Sequence, residues 1–308
     1  ESRLYLIDLA SGIKSRLLPE KDEHTTFDGI SFTKDGKGIY LITNKDSEFN
    51  RLAYFDISAR KLNYLSSPIP WDVEDADLSK DGTRLAFVTN ENGLSKLYSL
   101  LTTTNQYTPI PNLPKGIIGG ISWSGDSKSI GITFVSYNSS ADVFEYNTLT
   151  NELLRWTESE LGGMDISTLQ DPQLISWKSF DGKSISGYLY KASSKFSGKR
   201  PVIINIHGGP EGQSRPVFLG RGNYYLNELG ISIIYPNVRG STGYGKTFVD
   251  LDNGMKREES VRDIGALVDW IAQQPDLDKD RIMITGGSYG GYMTLAVSYL
   301  FNDKIRCA

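Results

Sequence analysis

Two short motifs concentrate the residues able to do chemistry. Gly286-Gly287-Ser288-Tyr289-Gly290 reads G-x-S-x-G, the pattern in which a sharp strand-to-helix turn lifts a serine hydroxyl clear of a sheet. Small residues flank the serine because that turn is crowded, which gives Gly286 and Gly290 supporting roles. Ser288 is thus a candidate nucleophile for acyl transfer, provided that a base takes its proton. The second motif is His207-Gly208-Gly209-Pro210. Acyl transfer puts negative charge on the former carbonyl oxygen, and a glycine-rich loop can present backbone N–H groups to that charge. Gly209 and Tyr289 are the candidate oxyanion donors, with His207 and Gly208 supporting the loop. The bare pentapeptide is a weak pattern, and both glycine clusters could be tight turns alone. What adds weight is that both occur in one chain, in this order, each directly after a predicted strand.

The elements that must hold these motifs alternate. Gln173–Phe180 and Ser184–Lys191 form a hairpin about Asp181-Gly182, after which short apolar strands alternate with helices. Pro201–Ile206 is a strand that runs into the His207 loop. Leu226–Leu229 belongs to a short helix, and Ile231–Tyr235 is a buried strand. Glu258–Gln273 is a helix with Val261, Ile264, Leu267, Val268 and Ile271 on one face at 3.6-residue spacing. Arg281–Thr285 is a strand entering the Ser288 turn, and a helix follows to about Leu300. This alternation predicts a parallel α/β sheet.

The first half repeats instead. Gly29–Gly36, Asp75–Gly82 and Gly120–Ser127 are copies of one segment, with aspartates at 35, 81 and 126. Each copy reads as strand, Asp-Gly type turn, strand, returning through Gly38–Thr43, Arg84–Thr89 and Ser129–Phe134. A second hairpin begins at Arg51–Asp56, Lys96–Leu101 and Asp142–Asn147, and Arg3–Asp8 is a further copy of it. Four strands at a period near 45 residues mark β-propeller blades. Three blades are whole and one is half, fewer than a closed ring of four to eight requires, so the reading expects an incomplete propeller. Phe32, Tyr54, Tyr98, Trp123 and Phe144 fall on alternating strand positions and are expected to pack in the core. The domains are therefore residues 1–156, a partial propeller; 157–172, a polar linker; and 173–308, the α/β half.

Composition removes several function classes. The 33 basic and 37 acidic residues leave a net charge of −4, too mild for a nucleic-acid partner. No apolar run approaches the roughly 20 residues of a membrane-spanning helix, so no membrane span is expected. One cysteine excludes an internal disulfide. The compartment stays open, with the cytoplasm ahead of the periplasm or secretion. The N-terminus has neither an initiator methionine nor a signal-like segment, and the reading expects sequence upstream.

Taken with Asn237-Val238-Arg239-Gly240-Ser241-Thr242-Gly243-Tyr244-Gly245 and Gly291-Tyr292-Met293, the two motifs resemble the prolyl oligopeptidase family of serine peptidases, in particular its acylaminoacyl-peptidase and dipeptidyl-peptidase branches. The resemblance covers nearly the whole chain. It implies a β-propeller preceding an α/β-hydrolase domain, and cleavage of short or N-blocked peptides through an acyl-enzyme on Ser288, with neither metal nor organic cofactor. It implies an oligopeptide substrate, and it allows a homo-oligomer built through the hydrolase half. Arg239 and Tyr244 fall in a family loop near the site, as structural supports or as substrate contacts.

One departure matters. In α/β-hydrolases the triad runs Ser, Asp or Glu, His, yet the 20 residues after Ser288 hold Asp303 and no histidine. The expectation is an internal fragment, inactive alone, that ends before the triad acid and base. The chain has two histidines. His24 reads as an exposed loop residue and His207 as an oxyanion-loop residue, with a substitute base as its alternative. Cys307 is expected to pack in a strand. An esterase or amidase of the same fold, or a non-catalytic propeller-based binding protein, are the rival functions.

Overall fold

The computed structural model describes residues 2–308. The chain divides into two compact units. One runs up to Phe134 and includes Asp142–Glu158; the other comprises Val135–Ala141 and Ser159–Ala308. No helix among the described residues is long and apolar enough to cross a membrane.

In the first unit, β1 (Leu4–Ile7) and β2 (Lys14–Leu18) pair antiparallel. Three four-stranded sheets follow, each ordered as the chain runs, although Val135–Ala141, between the third sheet's two middle strands, counts with the other unit. They are β3 (Phe27–Phe32), β4 (Gly38–Thr43), β5 (Arg51–Asp56) and β6 (Lys61–Tyr64); β7 (Asp72–Leu78), β8 (Arg84–Glu91), β9 (Leu94–Leu101) and β10 (Gln106–Pro109); and β11 (Ile117–Trp123), β12 (Ser129–Ser136), β13 (Ser139–Asn147) and β14 (Leu153–Arg155). These are propeller-like sheets, and their inner strands are apolar on both faces for a simple reason. Along β8, Leu85 and Phe87 pack toward the preceding sheet, with Tyr40, Ile42 and Leu52. Their neighbours Ala86 and Val88 point the other way, toward Trp123, Ile130 and Ile132 of the next. A strand sandwiched between two sheets loses the polar alternation of a one-sided sheet.

The repeated aspartate closes each turn by the same bonds. Asp81 accepts from Ser79 Oγ at 2.6 Å and Thr83 N at 3.0 Å, and the serine hydroxyl bond leads in lowering its carboxyl to about 2. Asp35 and Asp126 repeat the arrangement with Thr33 and Lys37, and with Ser124 and Lys128. Of the aromatics expected in the core, Tyr98 and Trp123 are buried, and Tyr54 and Phe144 are partly buried. Phe32 is not: it is 52% exposed, at the end of β3 in its sheet's outermost position.

The second unit holds a five-stranded sheet in the order β15, β16, β18, β17, β19. The strands are β15 (Gln173–Lys178), β16 (Ser184–Tyr190), β17 (Arg200–Ile206), β18 (Ser232–Asn237) and β19 (Leu277–Gly286). β17 pairs parallel with β18 and β19, whereas β15–β16 and β16–β18 are antiparallel. The sheet is therefore mixed rather than parallel throughout, because the leading hairpin joins its edge. Helices cover both faces. On one, α1 (Asn223–Asn227) sets Leu226 against Tyr188, Tyr190, Ile203 and Ile233. α2 (Lys246–Val249) is a single turn. On the other face, α3 (Arg257–Ile271) and α4 (Tyr289–Leu300) pack Val261, Ile264, Leu267, Met293 and Val297 onto Val202, Ile204, Ile206 and Ile284. Cys307 corrects its expectation in part. Its backbone bridges Met283 in parallel, with Ile284 N donating to Cys307 O at 3.0 Å, but its side chain is exposed.

Candidate active site

Ser288 stands between the end of β19 and the first turn of α4 and is solvent-exposed. Its backbone lies at φ 56° and ψ −121°, a region costly for any residue with a Cβ and characteristic of functional sites. The turn is held from below. A Cβ on Gly290 would run into the carbonyl oxygen of Ile206 at the end of β17, and one on Gly286 would lie 2.6 Å from the same atom. Absence of side chains at 286 and 290 is what lets α4 start flush against β17 and tip the serine outward.

The loop after β17 comes up beside it. A Cβ built on Gly208 would lie 3.3 Å from Ser288 Cβ and 3.8 Å from its Oγ, so only glycine leaves a gap next to the hydroxyl. Gly209 is exposed at φ 130°, and a cis peptide joins it to Pro210. The backbone N–H groups of Gly209 and Tyr289 make no hydrogen bond within the described residues. Two N–H groups without a partner among the described residues thus belong to the residue after Ser288 and to the loop beside it.

His207 is partly buried, and both ring nitrogens are engaged: Nδ1 lies 2.8 Å from Gly208 O, and Nε2 lies 2.9 Å from Ser241 Oγ. Burial pushes its pKa below the ordinary imidazole value. Neither nitrogen is turned to Ser288. His24 is exposed, in the other unit.

Arg239 is fully buried. It reaches Asp263 through Nη2 at 2.8 Å, Glu259 at 2.6 Å and Asp181 at 3.1 Å, with its guanidinium over the Phe180 ring. Burial opposes its charge, but the bonds to Asp263 and Asp181 outweigh that and hold it protonated. None of these contacts reaches Ser288. The Tyr244 hydroxyl accepts from Asn237 Nδ2 at 3.0 Å and from Ser186 Oγ at 3.1 Å. Asn237 also takes Ser214 N at 2.6 Å, and Thr242 N donates to Gly212 O at 2.9 Å. The 239–245 segment therefore braces the His207 loop from behind.

Sequence reasoning missed the residues that fix Tyr289. Its hydroxyl lies 2.7 Å from Ser260 Oγ and donates to Asp252 Oδ2 at 3.0 Å. Asp252 is buried, its Oδ1 has no partner, and desolvation raises its pKa above the ordinary carboxylate value. Ser241 and Asp263 were missed too. A signal existed for Ser260 and Asp263: both lie on the buried face of α3 among Val261, Ile264 and Leu267, and a polar residue there needs a partner.

A serine in a G-x-S-x-G strand-to-helix turn at the end of a parallel strand pair, beside a glycine loop, is an arrangement shared by many enzymes. The comparisons narrow it. The family model described as the prolyl oligopeptidase family matches residues 219–308. The chain is 27% identical to dipeptidyl peptidase family member 6 of Caenorhabditis elegans, over 90% of this chain and 40% of that protein. It is 36% identical to the acylamino-acid-releasing enzyme of Arabidopsis thaliana, over 39% of this chain and 16% of that one. A structure from a study of two prolyl endopeptidases superposes with a TM-score of 0.84 at 16% identity, covering 99% of this chain and 45% of that one. Over residues 219–308 the chain is thus similar to the prolyl oligopeptidase family, and its likeness to dipeptidyl peptidase family member 6 extends over most of its length. It spans at most about two fifths of the length of these curated relatives.

Proposed function

We propose that this chain carries the nucleophile and oxyanion hole of a serine peptidase. In this reading residues 173–308 are the first part of an α/β-hydrolase catalytic domain, residues 1–156 are blades of a propeller, and 157–172 link them. The observation that carries it is Ser288, exposed at φ 56° against the Gly208 loop, with the N–H groups of Gly209 and Tyr289 unpartnered among the described residues. Ser288 Oγ attacks the scissile carbonyl carbon while a base takes its proton. The two N–H groups hold the oxyanion, the C–N bond breaks as the proton passes to the leaving amine, and water then hydrolyses the ester.

The base is not His207, whose nitrogens are spent on Gly208 and Ser241. In the order of such triads the acid and the base follow the serine, and residues 289–308 hold Asp303 and no histidine. The substrate class is short or N-blocked peptides, in line with relatives named as dipeptidyl peptidase and acylamino-acid-releasing enzyme.

Assaying the full-length protein on aminoacyl, dipeptidyl and N-acetyl-aminoacyl p-nitroanilides beside an aryl ester tests this. Amide turnover that disappears in Ser288→Ala is expected. Ester turnover without amide turnover would make the protein an esterase of the same fold, and turnover of neither would leave it a binding protein.

A further inference from the structure

We infer that the groove between the β15–β16 hairpin and α3 binds an amphipathic monocarboxylate, a small molecule with an aromatic or acyl body and one carboxylate held by Arg262. The groove has a volume of about 610 Å³, inside the range of small-molecule pockets. It lies wholly within the second unit, and none of its lining residues belongs to the Ser288 site. Its wall is aromatic, with Trp177, Phe180, Trp270 and Phe301 all contributing. Gly265 keeps it open: a Cβ there would lie 2.4 Å from Phe301 Cζ, so only glycine lets that ring rest against α3.

Three charged side chains line the groove, Lys178, Arg262 and Asp269. Asp269 is matched by Lys304 Nζ at 2.7 Å. The acids around Arg262 are committed elsewhere. Glu259 and Asp263 pair with Arg239, and Asp181 is shared between Arg239 and Lys183. Among the described residues the Arg262 guanidinium is in no ion pair, and it stacks instead on a ring, with Cζ 3.4 Å from the Phe180 centroid. At that distance it must lie nearly flat on the ring, since a steeper tilt would drive a nitrogen into the ring carbons. Its N–H groups therefore point sideways, in their own plane, where a ligand can take them.

Phe180 is itself fixed. Its neighbour Ser179 donates to Asp263, its other neighbour Asp181 accepts from Arg239, and Arg239 Cζ lies 4.6 Å from the same ring centroid. A long side chain that is ordinarily free to change rotamer is thus already set in the folded protein, which lowers the entropic cost of capture. A carboxylate matches the planar N–H fork through two parallel hydrogen bonds, and Lys178 adds a second positive charge. The aromatic wall calls for an apolar body behind the carboxylate. A neutral or cationic molecule gains nothing from Arg262.

The test titrates the full-length protein with 2-naphthoate by calorimetry, with 2-naphthylmethanol as the uncharged counterpart. Naphthoate should bind with a Kd of about 1 mM or tighter, in keeping with its few atoms, and the alcohol at least about tenfold more weakly. Arg262 is exposed and touches none of the acids that hold Arg239, so Arg262→Gln should fold normally and weaken naphthoate at least about tenfold. Arg262→Lys, which keeps the charge and loses the fork, should fall between. N-acetylphenylalanine and decanoate tell an aromatic amino-acid end from an acyl chain as the source of the carboxylate, the tighter binder naming it. No naphthoate binding, or equal binding to Arg262→Gln, or equal binding of the alcohol, overturns the proposal.

Arginine modification of the wild type judges it without any variant. Saturating naphthoate should slow phenylglyoxal addition at Arg262 several-fold, read by peptide mass spectrometry, and leave Arg281, outside the groove, unchanged; an unslowed Arg262 overturns it. Neither readout involves Ser288, so a failure here leaves the peptidase reading untouched, and a failure of that reading leaves the groove untouched.

Discussion

Tyr289 donates its phenolic proton to Asp252 Oδ2 across 3.0 Å, joining positions 37 residues apart in sequence. The residue that follows Ser288, the proposed nucleophile, is thereby tied, through its own side chain, to the segment that precedes α3. Its backbone N–H is the proposed second oxyanion donor, and the buried bonds at its hydroxyl anchor the same residue to Ser260 and Asp252.

The same pair sets a pH dependence. Burial holds the Asp252 carboxyl above its ordinary 3.8, so the folded state binds that proton more tightly than the unfolded state. The stability this contributes is fully present below about pH 3.8 and is lost as pH rises through the raised folded value. Asp252→Asn keeps an oxygen to accept from Tyr289 but cannot ionise. Urea midpoints should show the variant more stable than wild type at neutral pH, with the gain vanishing near pH 4. A gain that persists at the acid end would contradict this account.

Ser288 occupies backbone that glycine tolerates far better. Ser288→Gly should therefore be more stable than Ser288→Ala by about 1 kcal/mol, the relieved strain being partly offset by the greater freedom of an unfolded glycine. Both variants should lose all serine-dependent activity. Equal thermal midpoints would mean that the elbow stores no strain.

Arg239 and Asp263 are both fully buried and ion-paired. Removing one member leaves an uncompensated buried charge, so Arg239→Met should cost about 3–5 kcal/mol in chemical denaturation. The half-exposed pair Arg281 and Asp278 serves as the control: Arg281→Met should cost less than about 1 kcal/mol. Similar losses for the two would refute the role given to the Arg239 cluster.

Gly290→Ala puts a methyl group against the Ile206 carbonyl, which belongs to the backbone of a central strand and has no rotamer to change. A loss of about 1–3 kcal/mol or more is expected, together with slower reaction at Ser288. Calorimetry beside an activity assay checks both.

Much of the fold was legible because local chemistry dictated it. The Asp-Gly turns fixed the hairpins, and β4 and β5 span the predicted 38–43 and 51–56. The α3 stripe of Val261, Ile264 and Leu267 fixed its buried face. What stayed hidden depends on distant neighbours. Alternation alone gives Phe32 a face but cannot say whether anything covers it. Nor could spacing pair Ser241 with His207 or Asp252 with Tyr289, since those contacts exist only once β17, β18 and β19 lie side by side. The two motifs at 207–210 and 286–290 were readable as sequence, whereas the residues that aim them were not.

The central claim is that Ser288 is the nucleophile, and covalent labelling tests it most directly. The full-length protein would be treated with a fluorophosphonate probe and the adduct mapped by mass spectrometry. A single adduct on Ser288, absent in Ser288→Ala, is the predicted result. No adduct, or one that persists at another residue in Ser288→Ala, would contradict the account.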